Sequence, residues 1–246
     1  MLVTASTPWY LSSPVGEVVL LFAISIGSFI RKWISPSAIH NGMVAKGLDK
    51  IRLLDTYHPA IGGVCFVGSS TFTYWRYIEA DFQELGVPVI NAGFGGSCTN
   101  DILPLMDRLC TQFKPRVVVY FCGTNNLTQG MPVSTVLDDF KSFATRLFES
   151  NPSTHIVYLG LTTTPFCLKW NINNFLVTAR KANELLQEYC LSQPESLTYV
   201  HTDDLNKTPW IRDPAMYLGD GHHLTDEGHQ RLAREVLIPA IKRIIT

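Results

Sequence analysis

Hydrophobic and polar residues follow two different patterns along the chain. Residues 9–30 are apolar apart from Ser12-Ser13-Pro14 and Glu17. From Gly63 onward, short apolar runs alternate with amphipathic stretches. Such alternation is typical of βαβ units built around a parallel sheet.

The apolar runs after Gly63 are rich in Val, Ile, Tyr and Phe, as strands buried on both faces tend to be. They predict strands at Val64–Val67, Pro88–Asn91, Arg116–Phe121, His155–Leu161 and Leu197–His201. The segments between and after them predict helices at Thr73–Leu85, Asn100–Leu109, Val133–Glu149, Asn174–Leu191 and Thr225–Ile244. We therefore expect an α/β fold, a three-layer α/β/α sandwich with a five-stranded parallel sheet.

The apolar segment in residues 1–35 allows two interpretations. Its uninterrupted part, 18–30, is shorter than the roughly 20 residues of a straight membrane span, and extending it back to residue 9 includes Glu17. It also lacks the Lys or Arg that precedes the apolar run of a secretory signal peptide. A membrane anchor or interfacial helix formed by residues 9–30, and a hydrophobic helix packed on the domain, both stay open.

These interpretations give two localisations, at a membrane through one N-terminal anchor or in the cytoplasm. If the segment spans a bilayer, Arg31-Lys32 on its C-terminal side places the rest of the chain in the cytoplasm. Residues 36–60 are expected to form a connecting arm with one short helix. Residues 61–246 form the domain that carries the function.

Composition excludes several classes of partner. The 20 Lys and Arg residues balance 21 Asp and Glu residues, and no basic cluster exists beyond Arg31-Lys32, so nucleic acid is not an expected partner. Cys98 stands where a dinucleotide fingerprint beginning at Gly93 needs glycine. The six cysteines lack metal-ligand spacing and are expected to be buried thiols. Nothing in the sequence determines the oligomeric state.

Glycine and small polar residues follow three of the predicted strands. The three segments, in chain order, are Gly68-Ser69-Ser70-Thr71, Asn91-Ala92-Gly93-Phe94-Gly95-Gly96-Ser97 and Gly123-Thr124-Asn125-Asn126. Ligands of parallel sheets bind beyond the carboxyl ends of the strands, where these segments lie. Hydroxyl and amide groups at this edge predict a site for nucleophilic chemistry.

A serine nucleophile needs a base, and the base needs a carboxylate to orient it. Asp220-Gly221-His222-His223, just before the last helix, presents both in one loop. His223 is favoured as the base over His222, because the shorter separation of His222 from Asp220 leaves less chain for the carboxylate to reach its ring. A metal site in this cluster is disfavoured, because His229 is expected to face solvent on the last helix.

These four segments resemble the four sequence blocks of the SGNH (GDSL-type) hydrolases, over about three quarters of the chain. The resemblance implies a flavodoxin-like fold in which Ser70 is the nucleophile and a Ser70–His223–Asp220 triad acts. Its oxyanion hole would comprise the Ser70 N–H, the Gly96 N–H, with Gly95 as the alternative, and the Asn125 side chain. The family commonly has Asp where Ser69 and Asn126 stand, although a bacterial branch has Gly-Ser-Ser.

The resemblance implies a serine esterase that acts on lipid, aryl or short-chain acyl esters through an acyl-enzyme. Its partners would be a small-molecule ester and water, without cofactor or metal. A carbohydrate O-acetylesterase of the same fold and acyl transfer to an acceptor other than water are alternatives. A non-catalytic flavodoxin-like binding module is the alternative from another class.

Overall fold

Five parallel strands form the centre of the computed structural model, which describes residues 36–202 and 208–245. The strands are β1 (Val64–Gly68), β2 (Val89–Asn91), β3 (Val117–Phe121), β4 (His155–Leu159) and β5 (Leu197–Val200). Their order is β2-β1-β3-β4-β5, with every neighbouring pair parallel. The predicted α/β fold with a five-stranded parallel sheet is confirmed.

All residues of β1 and β3 are buried, because helices cover both faces of the sheet. The helices are α1 (Pro36–Tyr57), α2 (Ser70–Thr73), α3 (Ile78–Asp81), α4 (Thr99–Ile102), α5 (Met106–Leu109), α6 (Thr124–Thr128), α7 (Val133–Ser150), α8 (Pro165–Trp170), α9 (Phe175–Leu191), α10 (Asp226–Arg231) and α11 (Ile238–Ile245). All six cysteines are buried thiols outside disulfides, as the sequence predicts.

The chain direction across the sheet reverses between β1 and β3. From β1 the chain moves outward to β2, then returns to the other side of β1 to form β3. Open parallel sheets bind ligands at such a switch point, beyond the carboxyl ends of the strands. Gly68 at the end of β1 pairs with Phe121 at the end of β3, so the two following segments start side by side.

Helix α1 has 22 residues and packs on the domain, whereas the sequence predicts one short helix in this arm. Ile51 and Leu54 on its inner face are buried. Gly47 permits the close approach, because a Cβ built there would lie 2.2 Å from Leu105 Cδ1 and 3.3 Å from the Phe94 ring. The helix therefore contacts the segment that follows β2.

Three predicted helices are interrupted in the structure. The helix predicted at Asn100–Leu109 divides into α4 and α5 around the 3₁₀ turn Leu103–Leu105. The run predicted at Thr73–Leu85 breaks between α2 and α3, where the Trp75 indole N–H donates to Asp81 across the non-helical turn (2.7 Å). The aromatic and β-branched residues before this turn have low helix propensity. The last helix passes through a π-helical turn, Leu232–Leu237, because Pro239 has no N–H to bond the preceding turn.

The apolar residues 9–30 lie outside the described part of the chain. Among residues 36–202 and 208–245, no helix has both the length and the hydropathy that a bilayer crossing requires.

Candidate active site

Ser70 lies at the first turn after β1, as the first residue of α2. The preceding carbonyl, of Ser69, accepts hydrogen bonds from the Thr73 hydroxyl (3.0 Å) and the Thr73 N–H (3.1 Å). Gly68 has no room for a side chain, since a Cβ there would lie 2.2 Å from the Phe121 carbonyl oxygen. The turn therefore holds Ser70 at the carboxyl end of the sheet, directly beside β3.

Asn91 connects the segment after β2 to the serine turn. Its side-chain N–H donates to the Phe72 carbonyl of α2 (2.6 Å), and its side-chain oxygen accepts from the Gly93 N–H (3.0 Å). The Phe94 N–H then donates to the Gly68 carbonyl (3.1 Å). The first and second segments of the predicted site thus form one hydrogen-bonded unit.

Asn125, on the segment after β3, is half-buried and lines the same cavity as Ser70. Its side-chain amide donates one hydrogen bond to the Ser97 carbonyl (2.9 Å). An amide has two N–H groups, so this bond fixes the side chain and leaves the second N–H for a ligand.

Asn126 has a different role from its neighbour. It is fully buried, its oxygen accepts from the Thr99 N–H (3.0 Å) and its N–H donates to the Thr99 hydroxyl (2.9 Å). This residue, where the related family commonly has Asp, therefore ties the segment after β3 to the start of α4.

The two candidate oxyanion glycines have different neighbours. A Cβ at Gly95 would lie 4.0 Å from the Ser70 Cβ. Gly96 has a φ of +85°, and a Cβ there would lie 3.6 Å from Met43 Sδ and 3.9 Å from Lys46 Nζ of α1. The choice of Gly96 over Gly95 as the donor stays a prediction.

Asp220 and His223 are in close polar contact at the site. The His223 Nδ1 lies 2.6 Å from one Asp220 carboxylate oxygen, and the other oxygen accepts the backbone N–H groups of His222 (2.9 Å) and His223 (3.0 Å). Burial alone would raise the pKa of Asp220, but the His223 ring and these N–H groups outweigh it and lower that pKa. Asp220 is therefore held as a carboxylate against the His223 ring.

Tyr74 links His223 to the serine turn. Its ring packs edge-on against the His223 ring, with centroids 4.6 Å apart, and its backbone N–H donates to the Ser70 carbonyl (2.9 Å). Within the described residues, Ser70 and His223 share no direct hydrogen bond. Catalytic hydrogen bonds are often formed only once substrate is bound.

His222, the alternative base, faces elsewhere. Its Nδ1 lies 3.1 Å from the Thr164 hydroxyl, and Asp220 contacts only its backbone. Burial, and then the charge of His223, lower the pKa of His222 to about 3. The carboxylate therefore orients His223, while a neutral His222 lines the cavity beside Ser70.

The expectation that His229 faces solvent is wrong. Its side chain is buried, stacks on Trp75 with ring centroids 4.8 Å apart, and places Nε2 3.0 Å from the Thr71 carbonyl. Burial lowers its pKa to about 3. The neutral ring donates its Nε2–H to the serine turn and thereby fixes α10 to it.

The sequence contains a signal for this buried histidine. His229 lies three, four and seven residues before Leu232, Ala233 and Val236, so it continues the apolar stripe of the last helix. The described residues contain no group of three or more His, Cys, Asp or Glu side chains that could hold a metal ion.

A cavity of about 30 Å³ adjoins Ser70 and Asn125. Its walls include the buried side chains of Phe121, Leu159 and Leu232. The site thus combines a serine hydroxyl and an amide donor beside a small and mainly apolar space with a carboxylate-oriented imidazole that packs on Tyr74 next to the serine turn.

Comparison with known proteins identifies one family model that matches more than half of the chain. The model of the GDSL-like lipase/acylhydrolase family matches residues 63–231. No curated protein matches the chain.

Solved structures share the fold at low sequence identity. A GDSL-like lipase from Bacteroides thetaiotaomicron is 19% identical with a TM-score of 0.61, covering 74% of this chain and 88% of its own. A lipase/acylhydrolase from Enterococcus faecalis is 17% identical with a TM-score of 0.61, covering 74% and 96%. A catalytic mutant of an acetylxylan esterase from Geobacillus stearothermophilus is 17% identical with a TM-score of 0.53, covering 75% and 96%.

Proposed function

Because the chain belongs to the GDSL-like lipase/acylhydrolase family of ester-hydrolysing enzymes, we propose that it cleaves carboxylic esters with Ser70, His223 and Asp220. One observation carries this assignment: the buried Asp220 carboxylate lies 2.6 Å from the His223 ring. That ring packs on Tyr74, whose backbone is bonded to Ser70. An imidazole oriented in this way is a suitable base for a neighbouring hydroxyl.

In the proposed reaction, Ser70 Oγ attacks the ester carbonyl carbon and His223 Nε2 takes the hydroxyl proton. Asp220 accepts the Nδ1–H and stabilises the imidazolium that forms. When the tetrahedral intermediate collapses, the bond to the alcohol oxygen breaks and His223 returns the proton to that oxygen. Water, deprotonated by His223, then attacks the acyl-enzyme and releases the acid and Ser70.

The developing oxyanion needs donors that are already in place. The Asn125 side chain is held by its bond to Ser97 and has a second N–H for this purpose. The backbone N–H groups of Ser70 and Gly96 complete the proposed hole. Asn126 holds the Asn125 segment against α4 and does not take part in the chemistry.

Hydrolysis of p-nitrophenyl acetate tests this function. Wild-type protein should release p-nitrophenol. Ser70→Ala should lose at least about 10³-fold in kcat, since removing the nucleophile leaves only the catalysis that the oxyanion donors and substrate binding provide. Ser69→Ala is the matched control, because it deletes the same hydroxyl one position earlier and should remain within about tenfold of wild type. Folded wild-type protein that hydrolyses no ester would support the binding-module alternative.

A further inference from the structure

We propose that the cavity of about 30 Å³ beside Ser70 is the acyl pocket, and that it restricts the substrates to esters of short acids, acetyl and propionyl. This inference rests on the proposed function, since it assigns a direction to the acyl chain in a reaction at Ser70. It leaves the alcohol part of the ester unspecified.

The arrangement of the reacting groups decides which part of the ester enters the cavity. The tetrahedral carbon bonded to Ser70 Oγ carries three other substituents: the oxyanion, the alcohol oxygen and the acyl chain. The oxyanion lies at Asn125, and the alcohol oxygen must face His223, from which it receives its proton. Only the remaining direction is open to the acyl chain.

The residues that line the cavity indicate that it lies in the direction left for the acyl chain. Ser70 and Asn125 are among the residues that line it, whereas His223 is not among the described residues that do so. An alcohol placed in this cavity would not lie against the base that must protonate it. The acyl chain has no such requirement and fits an apolar space.

The size of the cavity sets the limit on chain length. A volume of about 30 Å³ holds about two water molecules, which is room for one or two carbon atoms beyond the carbonyl. Four wall residues, each at most 6% exposed, are fixed in the core: Phe121, Leu159, Ile211 and Leu232. Because protein interiors are close-packed, a longer chain that remains within the cavity must displace these side chains.

Two hydroxyl groups on the wall do not require a polar acyl chain. The Thr164 hydroxyl lies 3.1 Å from the ring of His222, and the Thr162 hydroxyl donates to the Thr202 hydroxyl (3.0 Å). These groups already have partners inside the protein, so an unsubstituted alkyl group leaves none of them unpaired. Acetyl and propionyl fit both the size and the chemistry of the pocket.

A series of p-nitrophenyl esters tests the pocket while the alcohol stays constant. For wild-type protein, kcat/KM should fall at least about 100-fold from acetate to hexanoate, because each methylene forced into packed side chains is costly. Octanoate should be slower still. Hexanoate or octanoate hydrolysed as fast as acetate would overturn the inference while leaving the proposed function intact, whereas failure of every ester would count against the proposed function itself.

A pair of leucine variants tests whether this cavity sets the limit on acyl-chain length. Leu232→Ala enlarges the wall and should raise the hexanoate-to-acetate ratio of kcat/KM at least about tenfold. Leu237→Ala removes the same atoms from a fully buried position that is not among the described residues lining the cavity, and it should keep the wild-type ratio. A folded Leu232→Ala protein with the wild-type ratio would overturn the assignment of the cavity, and the wild-type ester series decides the matter if neither variant folds.

Discussion

Asn125 has two side-chain N–H groups with separate tasks in this account. One bonds the Ser97 carbonyl, and the other is proposed to bond the oxyanion as charge develops on it. An interaction that strengthens in the transition state affects turnover more than binding. The residue should therefore contribute mainly to kcat.

The variant Asn125→Ala checks this directly. We expect kcat to fall by about 10²–10³-fold, the usual effect of losing one oxyanion donor, with a much smaller change in KM. Steady-state kinetics with p-nitrophenyl acetate measures both constants, and circular dichroism confirms that the variant is folded. Unchanged turnover in a folded protein would remove Asn125 from the site.

Single residues differ in how far the sequence alone identifies them. Asp220 and His223 are three positions apart in one loop, so their contact is local and their spacing predicts it. His229 was predicted to face solvent, although it bonds the Thr71 carbonyl, which belongs to a segment far away in the chain. Because only the fold brings Thr71 close to His229, no local sequence pattern predicts this hydrogen bond. The apolar stripe of the last helix is the feature that indicates the burial of His229.

At the scale of elements, the helix α1 contains two glycines in opposite environments. A Cβ at Gly42 would meet no atom within 4 Å, whereas a Cβ at Gly47 would lie 2.2 Å from Leu105 Cδ1. Gly42 only lowers the helix propensity of α1, whereas Gly47 permits α1 to approach the segment that carries Gly96.

The same substitution at these two positions should have opposite effects. Gly42→Ala should stabilise the protein by up to about 1 kcal/mol, the difference in helix propensity between glycine and alanine. Gly47→Ala should destabilise it by about 1–3 kcal/mol, as overpacking does, and weaken the packing of α1. Urea unfolding of both variants measures this, and equal effects would contradict the described packing of α1.

Strands were predicted more closely than helices, for a physical reason. Strands β1 and β3 are buried on both faces, so they are continuous apolar runs with visible ends. The length of α1 was not predicted, because glycines at positions 42 and 47 interrupt its helical pattern. The π-helical turn before Pro239 is not predicted either, because predicting it requires knowing that the last helix continues beyond the proline.

At the scale of the whole molecule, two buried neutral histidines make stability depend on pH. Burial lowers the pKa values of His222 and His229 to about 3, from 6.5 in an unperturbed histidine. Between these values the unfolded chain binds protons that the folded chain does not. Stability should therefore fall as pH falls from about 6.5 toward 3, by about 1.4 kcal/mol per pH unit for each histidine.

The variant His229→Gln isolates one of these contributions. Glutamine retains an N–H that can reach the Thr71 carbonyl but does not titrate. Between pH 6 and 4, the unfolding free energy of the variant should fall less steeply than that of wild type by about 1.4 kcal/mol per pH unit. Urea unfolding at several pH values measures the slope, and parallel slopes would show that His229 titrates alike in the folded and unfolded chains.

The topology of the whole molecule brings the site together. Four segments that are separate in sequence meet at one edge because β1 and β3 are neighbours, His223 packs on Tyr74 and α10 bonds the serine turn. The resemblance of the four segments, in order, to the blocks of the SGNH hydrolases predicts their chemistry. Their distances depend on the sheet order, which the pattern of apolar runs does not determine.

Labelling with a fluorophosphonate probe tests whether Ser70 is an activated nucleophile, since only an activated serine should react. Wild-type protein should be labelled at Ser70, identified by peptide mass spectrometry. Labelling should vanish in Ser70→Ala, fall sharply in His223→Ala and persist in Ser69→Ala, with all variants shown to be folded. Absence of labelling in folded wild-type protein, or undiminished labelling of Ser70→Ala, would contradict the account.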